Sequence, residues 1–238
     1  MLVVCVFFLA QAQTQTRSMV GADGGFLLLH PVNETSEIGL NPSCLDVPQP
    51  NPRSIIQDVD GYPFLVVGWG KGHVESKGMQ LECDGLNLLL YNQQLWIKSE
   101  GKVIAIEPNP DIEAVIIEGR RIVPGLLPEQ GSKLVWVEEL ATGNNAMLYK
   151  HHTATFVGPQ APVNSYDSGS KAKFTNKSNL YLNIAEGDSV QLLPEKAAAF
   201  LALLPQNAEE MKTFLSKNKI NLKKEADVIK AVAYYNSL

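Results

Sequence analysis

The sequence predicts a mainly β protein of the α+β class: an antiparallel meander forming a sandwich or partial barrel, with C-terminal helices packed on it. Three observations carry that expectation. Short apolar runs alternate with turn signals between residues 62 and 157. The connections between them are shorter than the dozen or so residues that a parallel crossover needs. After Pro194 the apolar spacing changes from the period of a strand to that of a helix.

A chain of 238 residues is one large domain, or one domain plus an appendage, and can bury a core without metals or disulfides. Hydrophobic residues make up 45% and charged residues 19%, which excludes a disordered chain and a polytopic membrane protein. The net charge of −5 argues against nucleic acid as a partner, because phosphate binding needs a basic face.

Residues 1–12, MLVVCVFFLAQA, read as a signal peptide. The uncharged run from Leu2 to Ala10 is too short to span a bilayer, and Ala10-Gln11-Ala12 has the A-x-A form of a processing site. No Lys or Arg precedes Arg17, so the true translation start is expected upstream of Met1. Processing removes Cys5 and leaves Cys44 and Cys83. In an oxidising compartment that pair can form a disulfide; two buried free thiols are the alternative. Either way the mature chain carries no transmembrane segment.

Residues 13–59 form an extended, Pro-rich lead-in, with one strand at 26–30. Prolines as dense as Pro42, Pro48, Pro50 and Pro52 prevent a long helix or a central strand. Residues 60–193 form the β domain. Strands are expected at 64–67, 79–83, 86–91, 95–97, 103–106, 115–117, 134–137, 147–149 and 153–157. Asp84-Gly85, Glu100-Gly101, Glu118-Gly119 and Gly143-Asn144-Asn145 supply turn chemistry. A long polar loop follows at 158–179, then a hairpin of 180–184 with 190–193. Residues 194–238 are helical. Ala197, Phe200, Leu201 and Leu204 make one stripe, Met211, Phe214 and Leu215 a second, and Val228, Ala231, Val232 and Tyr235 a third. Asn207, with Glu210 three residues on, has the spacing of a cap. Residues 171–238 hold 10 Lys and 7 acids, a net of +3, so residues 1–170 carry −8.

The run Asp60-Gly61-Tyr62-Pro63-Phe64-Leu65, the triplet Leu90-Tyr91-Asn92 and the ending Ala233-Tyr234-Tyr235-Asn236-Ser237-Leu238 resemble a group of uncharacterised secreted proteins common in Bacteroidota. The resemblance covers about residues 60–238. It implies a bacterial exported or envelope protein and brings no catalytic residues.

Motifs for catalysis are few. Adjacent residues on a strand face opposite ways, so His151-His152 is poorly placed to hold one metal and reads as an exposed strand end. Asp58-Val59-Asp60-Gly61 puts Trp69 or Val67 where a calcium loop needs its Glu, and reads as a surface turn. Gly68-Trp69-Gly70-Lys71-Gly72 lacks the order of a phosphate loop and reads as a bend or bulge. Ser168-Gly169-Ser170-Lys171 fits S-x-x-K without the companion motifs of acyl-enzymes. Trp69, Trp96 and Trp136 read as core or edge anchors rather than a stacking platform.

These readings favour an exported, non-catalytic binding or structural protein of the bacterial cell envelope, secreted or periplasmic and without a cofactor. Its expected partner is an envelope protein or glycan. The alternatives are a periplasmic carrier of an apolar ligand and a hydrolase using dispersed carboxylates. The candidate binding surface is the polar loop. Lys171, Lys173 and Lys177 would attract an acidic partner, and Tyr166 and Phe174 would anchor it.

Overall fold

The computed structural model describes residues 17–20, 26–31, 59–99, 102–160, 169–185 and 189–238. The processing site, Cys44, Tyr166, Ser168 and most of the Pro-rich lead-in lie outside them. Twelve strands are assigned among the described residues. They are β1 (Arg17–Val20), β2 (Phe26–Pro31), β3 (Gly70–Ser76), β4 (Met79–Leu89), β5 (Gln94–Ser99) and β6 (Lys102–Ile106). Then come β7 (Ala114–Ile117), β8 (Arg120–Leu126), β9 (Leu134–Ala141), β10 (Ala146–Val157), β11 (Lys173–Ile184) and β12 (Ser189–Leu192). Helices α1 (Ala197–Ala202), α2 (Ala208–Lys217) and α3 (Glu225–Asn236) follow.

The strands form one sheet in the order β1-β2-β6-β5-β4-β3-β7-β8-β9-β10-β11-β12, and every pairing between them is antiparallel. The expected class holds: mainly antiparallel β with C-terminal helices. Two-residue turns at Lys77-Gly78 and Glu118-Gly119 have positive φ at both positions, the geometry that matches the twist of a tight hairpin. Consecutive strands are neighbours except at two steps. From β2 the chain passes to β3, and from β6 it crosses to β7 beside β3.

That second crossing is only residues 107–113, short enough to suggest a hairpin by length alone. It is possible because the sheet curls. One buried cluster draws on every strand from β3 to β11, including Val74, Leu88, Ile97, Ile106, Ile117, Ile122, Trp136, Ala154 and Phe174. Ile112, inside the crossing segment, is buried in the same cluster. The molecule is therefore a partial barrel with a filled interior. Its closure uses side chains as well as backbone. Ala154 N–H donates to the Leu90 carbonyl at 3.3 Å. The Gln93 amide donates to the His152 carbonyl at 2.8 Å and accepts from Trp136 N–H at 3.3 Å.

Several boundaries differ from expectation. Asp84-Gly85 is no turn; β4 continues through it with a bulge, and Trp69 packs where a side chain on Gly85 would stand. The expected strands 147–149 and 153–157 are one strand, β10. The expected strand 64–67 is a series of bends with one bridge, Phe64 to Leu89. Strands β3 and β8 were not expected. Pro124 is tolerated in β8 because the β7 pairing ends at Ile122, so its missing N–H disrupts no ladder bond on that side. The register shifts between Gly70 and Gly72, but the extra residue lies across from them, on β4, where Asp84 and Gly85 together face Lys71. A Cβ on Gly72 would collide with the Ile116 carbonyl oxygen.

The helices stand where their stripes place them. Phe200, Met211, Leu215, Val228, Ala231, Val232 and Tyr235 are buried against Ala146, Leu148, Leu182 and Ile184 of the sheet. Phe214 and Leu201 are only half-buried; Phe214 stacks on Tyr234 at 3.9 Å. Asn207 is the cap residue of α2, in a left-handed conformation without a side-chain capping bond. No helix among the described residues is long and apolar enough to cross a membrane.

Candidate functional site

The polar segment expected to bind is half strand. Residues 173–179 belong to β11 and pair with β10 through a ladder that begins Val157–Lys173, Thr155–Thr175 and Thr153–Lys177. Their composition hides this, since Phe174 is the one large apolar side chain in the segment and the backbone ladder carries the rest. Alternation along β11 divides the candidate residues. Phe174 turns inward; it is 6% exposed, packs on Tyr91 and Phe156, and is core rather than an anchor. Lys173, Thr175 and Lys177 turn outward and are exposed, beside Thr153, Thr155 and Val157 of β10. Lys171 is exposed just before the strand. Among the described residues no carboxylate comes within ion-pair distance of Lys171, Lys173 or Lys177. Asp60, whose backbone bonds to Ala172 and Phe174, is the exposed acid on the adjoining segment.

Cys83 is a free, half-exposed thiol on β4. Burial first, then the charges of Glu82 and Asp84, push its pKa up to about 11, so it is a poor nucleophile.

The histidine pair is the feature the sequence misplaces. It lies in the middle of β10, where the two imidazoles face opposite ways, as strand geometry requires. His151 is 4% exposed, packs on the Tyr181 ring, and its Nε2 has no hydrogen-bond partner. Burial, outweighing the opposing charge of Glu129, depresses its pKa. His152 Nε2 lies 2.7 Å from Glu138 Oε2. Arg120 is 3.8 Å from the other Glu138 oxygen, and Lys150 pairs with Glu225 of α3 at 2.6 Å. Burial raises the Glu138 pKa, but the His152 bond and the charges of His152, Arg120 and Lys150 together bring it below the usual value.

This cluster sits where the β9–β10 register ends, at Lys150–Glu138. Just beyond, the Gln93 amide spans from Trp136 to His152, so a side chain stands in for the next ladder step. Such a fork could be a reaction centre, but its parts point to structure. Ser178, opposite His152 on β11, is exposed, and no hydrogen bond joins it to the imidazole. Among the described residues no group of three or more His, Cys, Asp or Glu is placed to hold a metal. On the opposite face, a chain of contacts joins His73, Glu75, Arg121 and Glu139 across β3, β8 and β9. Glu75 is pulled down by Arg121 and then His73. Sequence separation concealed both networks, because their members are cross-strand neighbours.

Trp96 and Trp136 are buried, so only Trp69 keeps part of its surface toward solvent. The chain matches no family model, no curated protein and no solved structure.

Proposed function

We propose that this chain is an exported, non-catalytic binding protein of the bacterial cell envelope, and that it binds through the outer face of β10 and β11. The observation that carries the reading is the row of Lys173, Thr175 and Lys177, exposed on a paired strand and without carboxylate partners among the described residues. Lysines left without ion pairs on a rigid sheet are ready for an acidic partner. The export part rests on Ala10-Gln11-Ala12 and on the resemblance to secreted Bacteroidota proteins.

The alternatives draw less support. A carrier needs room inside, and the curl is filled by Leu, Ile, Val and Trp side chains. A hydrolase of the two-carboxylate kind needs one carboxyl with a raised pKa. Among the described carboxyls, Glu75 and Glu138 are both displaced downward.

Cosedimentation with washed envelope from a Bacteroidota cell tests the reading. The intact chain is expected to pellet with the envelope and release no sugar or peptide from it. Replacing Lys171, Lys173 and Lys177 by Gln is expected to leave the protein in the supernatant. Equal pelleting of both proteins removes this face from the proposal; steady release of soluble fragments replaces binding with catalysis.

A further inference from the structure

We propose that the outer face of β10 and β11 binds an acidic polysaccharide, one whose sugars carry carboxylates, rather than an acidic protein. The inference rests on the binding reading above and adds the class of ligand. Its ground is what the face contains and what it lacks. At this end of the ladder the outward positions are Thr153, Thr155 and Val157 on one strand and Lys173, Thr175 and Lys177 on the other; farther along the same face His151 and Tyr181 are buried and Tyr149 is half-buried. Lys171 extends the row. Protein interfaces are enriched in aromatic residues and depleted in lysine, and their energy concentrates in a few large anchors seated in pockets. Phe174, the aromatic nearest to this row in sequence, points into the core and is unavailable as an anchor.

What remains is a flat array of ammonium groups and hydroxyls. Lys173 and Lys177 stand on one face of one strand, about 13 Å apart at roughly 3.3 Å per residue. Thr175 lies between them, with Thr155 opposite it in the register. An extended polymer with a negative charge on its sugars meets both ammonium groups at once, and its ring hydroxyls can exchange hydrogen bonds with the threonines. Clustered lysines of this kind suit an acidic polymer, and three of them are few for the closely spaced phosphates of nucleic acid. The hydroxyl row favours a sugar chain: its ring hydroxyls supply donors and acceptors along the whole polymer, whereas a glutamate side chain supplies acceptors only and leaves the donors to the peptide backbone.

The probes are polygalacturonate, neutral dextran and poly-glutamate, each titrated into the intact chain by calorimetry at low and high salt. Binding is expected for polygalacturonate, absent for dextran, and about tenfold weaker for poly-glutamate, with salt weakening it throughout. The Lys171→Gln, Lys173→Gln, Lys177→Gln variant is expected to lose about tenfold in affinity for polygalacturonate, because screened surface charges each contribute modestly. Thr155→Val with Thr175→Val is expected to narrow the gap between the two acidic polymers. Unchanged melting temperatures show that each variant is folded. No heat with polygalacturonate, or equal affinity from the lysine variant, overturns the proposal. Tighter binding of poly-glutamate reassigns the face to acidic protein and overturns the glycan inference while the binding reading stands. Loss of envelope pelleting in the intact chain is the separate result that removes that reading.

Discussion

Gln93 shows how much one side chain can settle here. It is buried in a left-handed turn position, and its amide bonds to Leu90, Trp136 and His152. Replacement by Ala leaves buried backbone groups of β9 and β10 short of a partner, at about 1–3 kcal/mol for a buried group left unpaired. Gln93→Ala is therefore expected to lower the urea midpoint by an amount equivalent to about 2–4 kcal/mol. Asn87 plays a similar part. Its side chain accepts from Val66 N–H and Leu88 N–H and donates to the carbonyls of Val66 and Gly68, fixing the bends that replace the expected strand. Titration belongs to this scale too. Glu138 is held below its ordinary 4.5, so the unfolded chain takes up that proton first as pH falls. Stability is complete above 4.5 for this group and is lost as pH drops through the folded value. His151 is depressed from 6.5, so its contribution begins to fade once pH falls below 6.5. Midpoints measured from neutral pH downward should show both declines. His151→Leu should flatten the upper one and Glu138→Gln the lower; a profile unchanged by Glu138→Gln would deny the His152 pairing its weight.

Elements were legible where packing on one face decides the pattern. The three helical stripes divide core from solvent, and the runs around Leu88, Ile97 and Ile117 are short continuous apolar segments buried nearly throughout, so both the type and the place of those elements follow from the pattern. Legibility failed where something outside the segment supplies the reason. Gly85 sits in a bulge of β4 with Trp69 over it, and residues 173–179 are a strand because β10 provides seven successive partners for them. Within the helices, spacing named the stripes without ranking their members. Met211 is 0% exposed, whereas Phe214 is half-buried under Tyr234. Met211→Ala is expected to cost about 2–5 kcal/mol, as for a closed core site. Phe214→Ala is expected to cost about 1–2 kcal/mol, for partial burial and one ring contact. Thermal unfolding of both variants checks the order, and the reverse order would mean that α2 is rotated about its axis.

At the scale of the molecule, two cores meet along β9 to β11. One fills the curl and the other lies under the helices, and the Glu138–His152 and Lys150–Glu225 pairs stand between them. The last helix is tied to the β9–β10 turn through Asn236, whose amide bonds to the backbone of Asn145 and Ala146. Gly143 has no room for a side chain there, because that same amide occupies the place. Such long-range ties make one cooperative unit of sheet and helices. A single unfolding transition, seen alike by tryptophan fluorescence and by helical circular dichroism, is the expected behaviour. Export also belongs to this scale. Protein recovered from the exported fraction is expected to begin at Gln13, which N-terminal sequencing checks; a chain that keeps residues 1–12 would remove the signal-peptide reading.

Local spacing by itself determined the mainly β class, the helical end, the turn at Glu118-Gly119 and the apolar faces, because each of these is set by neighbours within a turn or two of chain. The composition also weighed against nucleic acid. Tertiary structure alone decided that the sheet curls into a partial barrel, that residues 107–113 cross it, and that Phe174 faces in while Lys173 and Lys177 face out. It also placed His152 against Glu138. These outcomes depend on twist and register, which bring together residues tens of positions apart, and a sequence period carries no record of which strand will lie beside which.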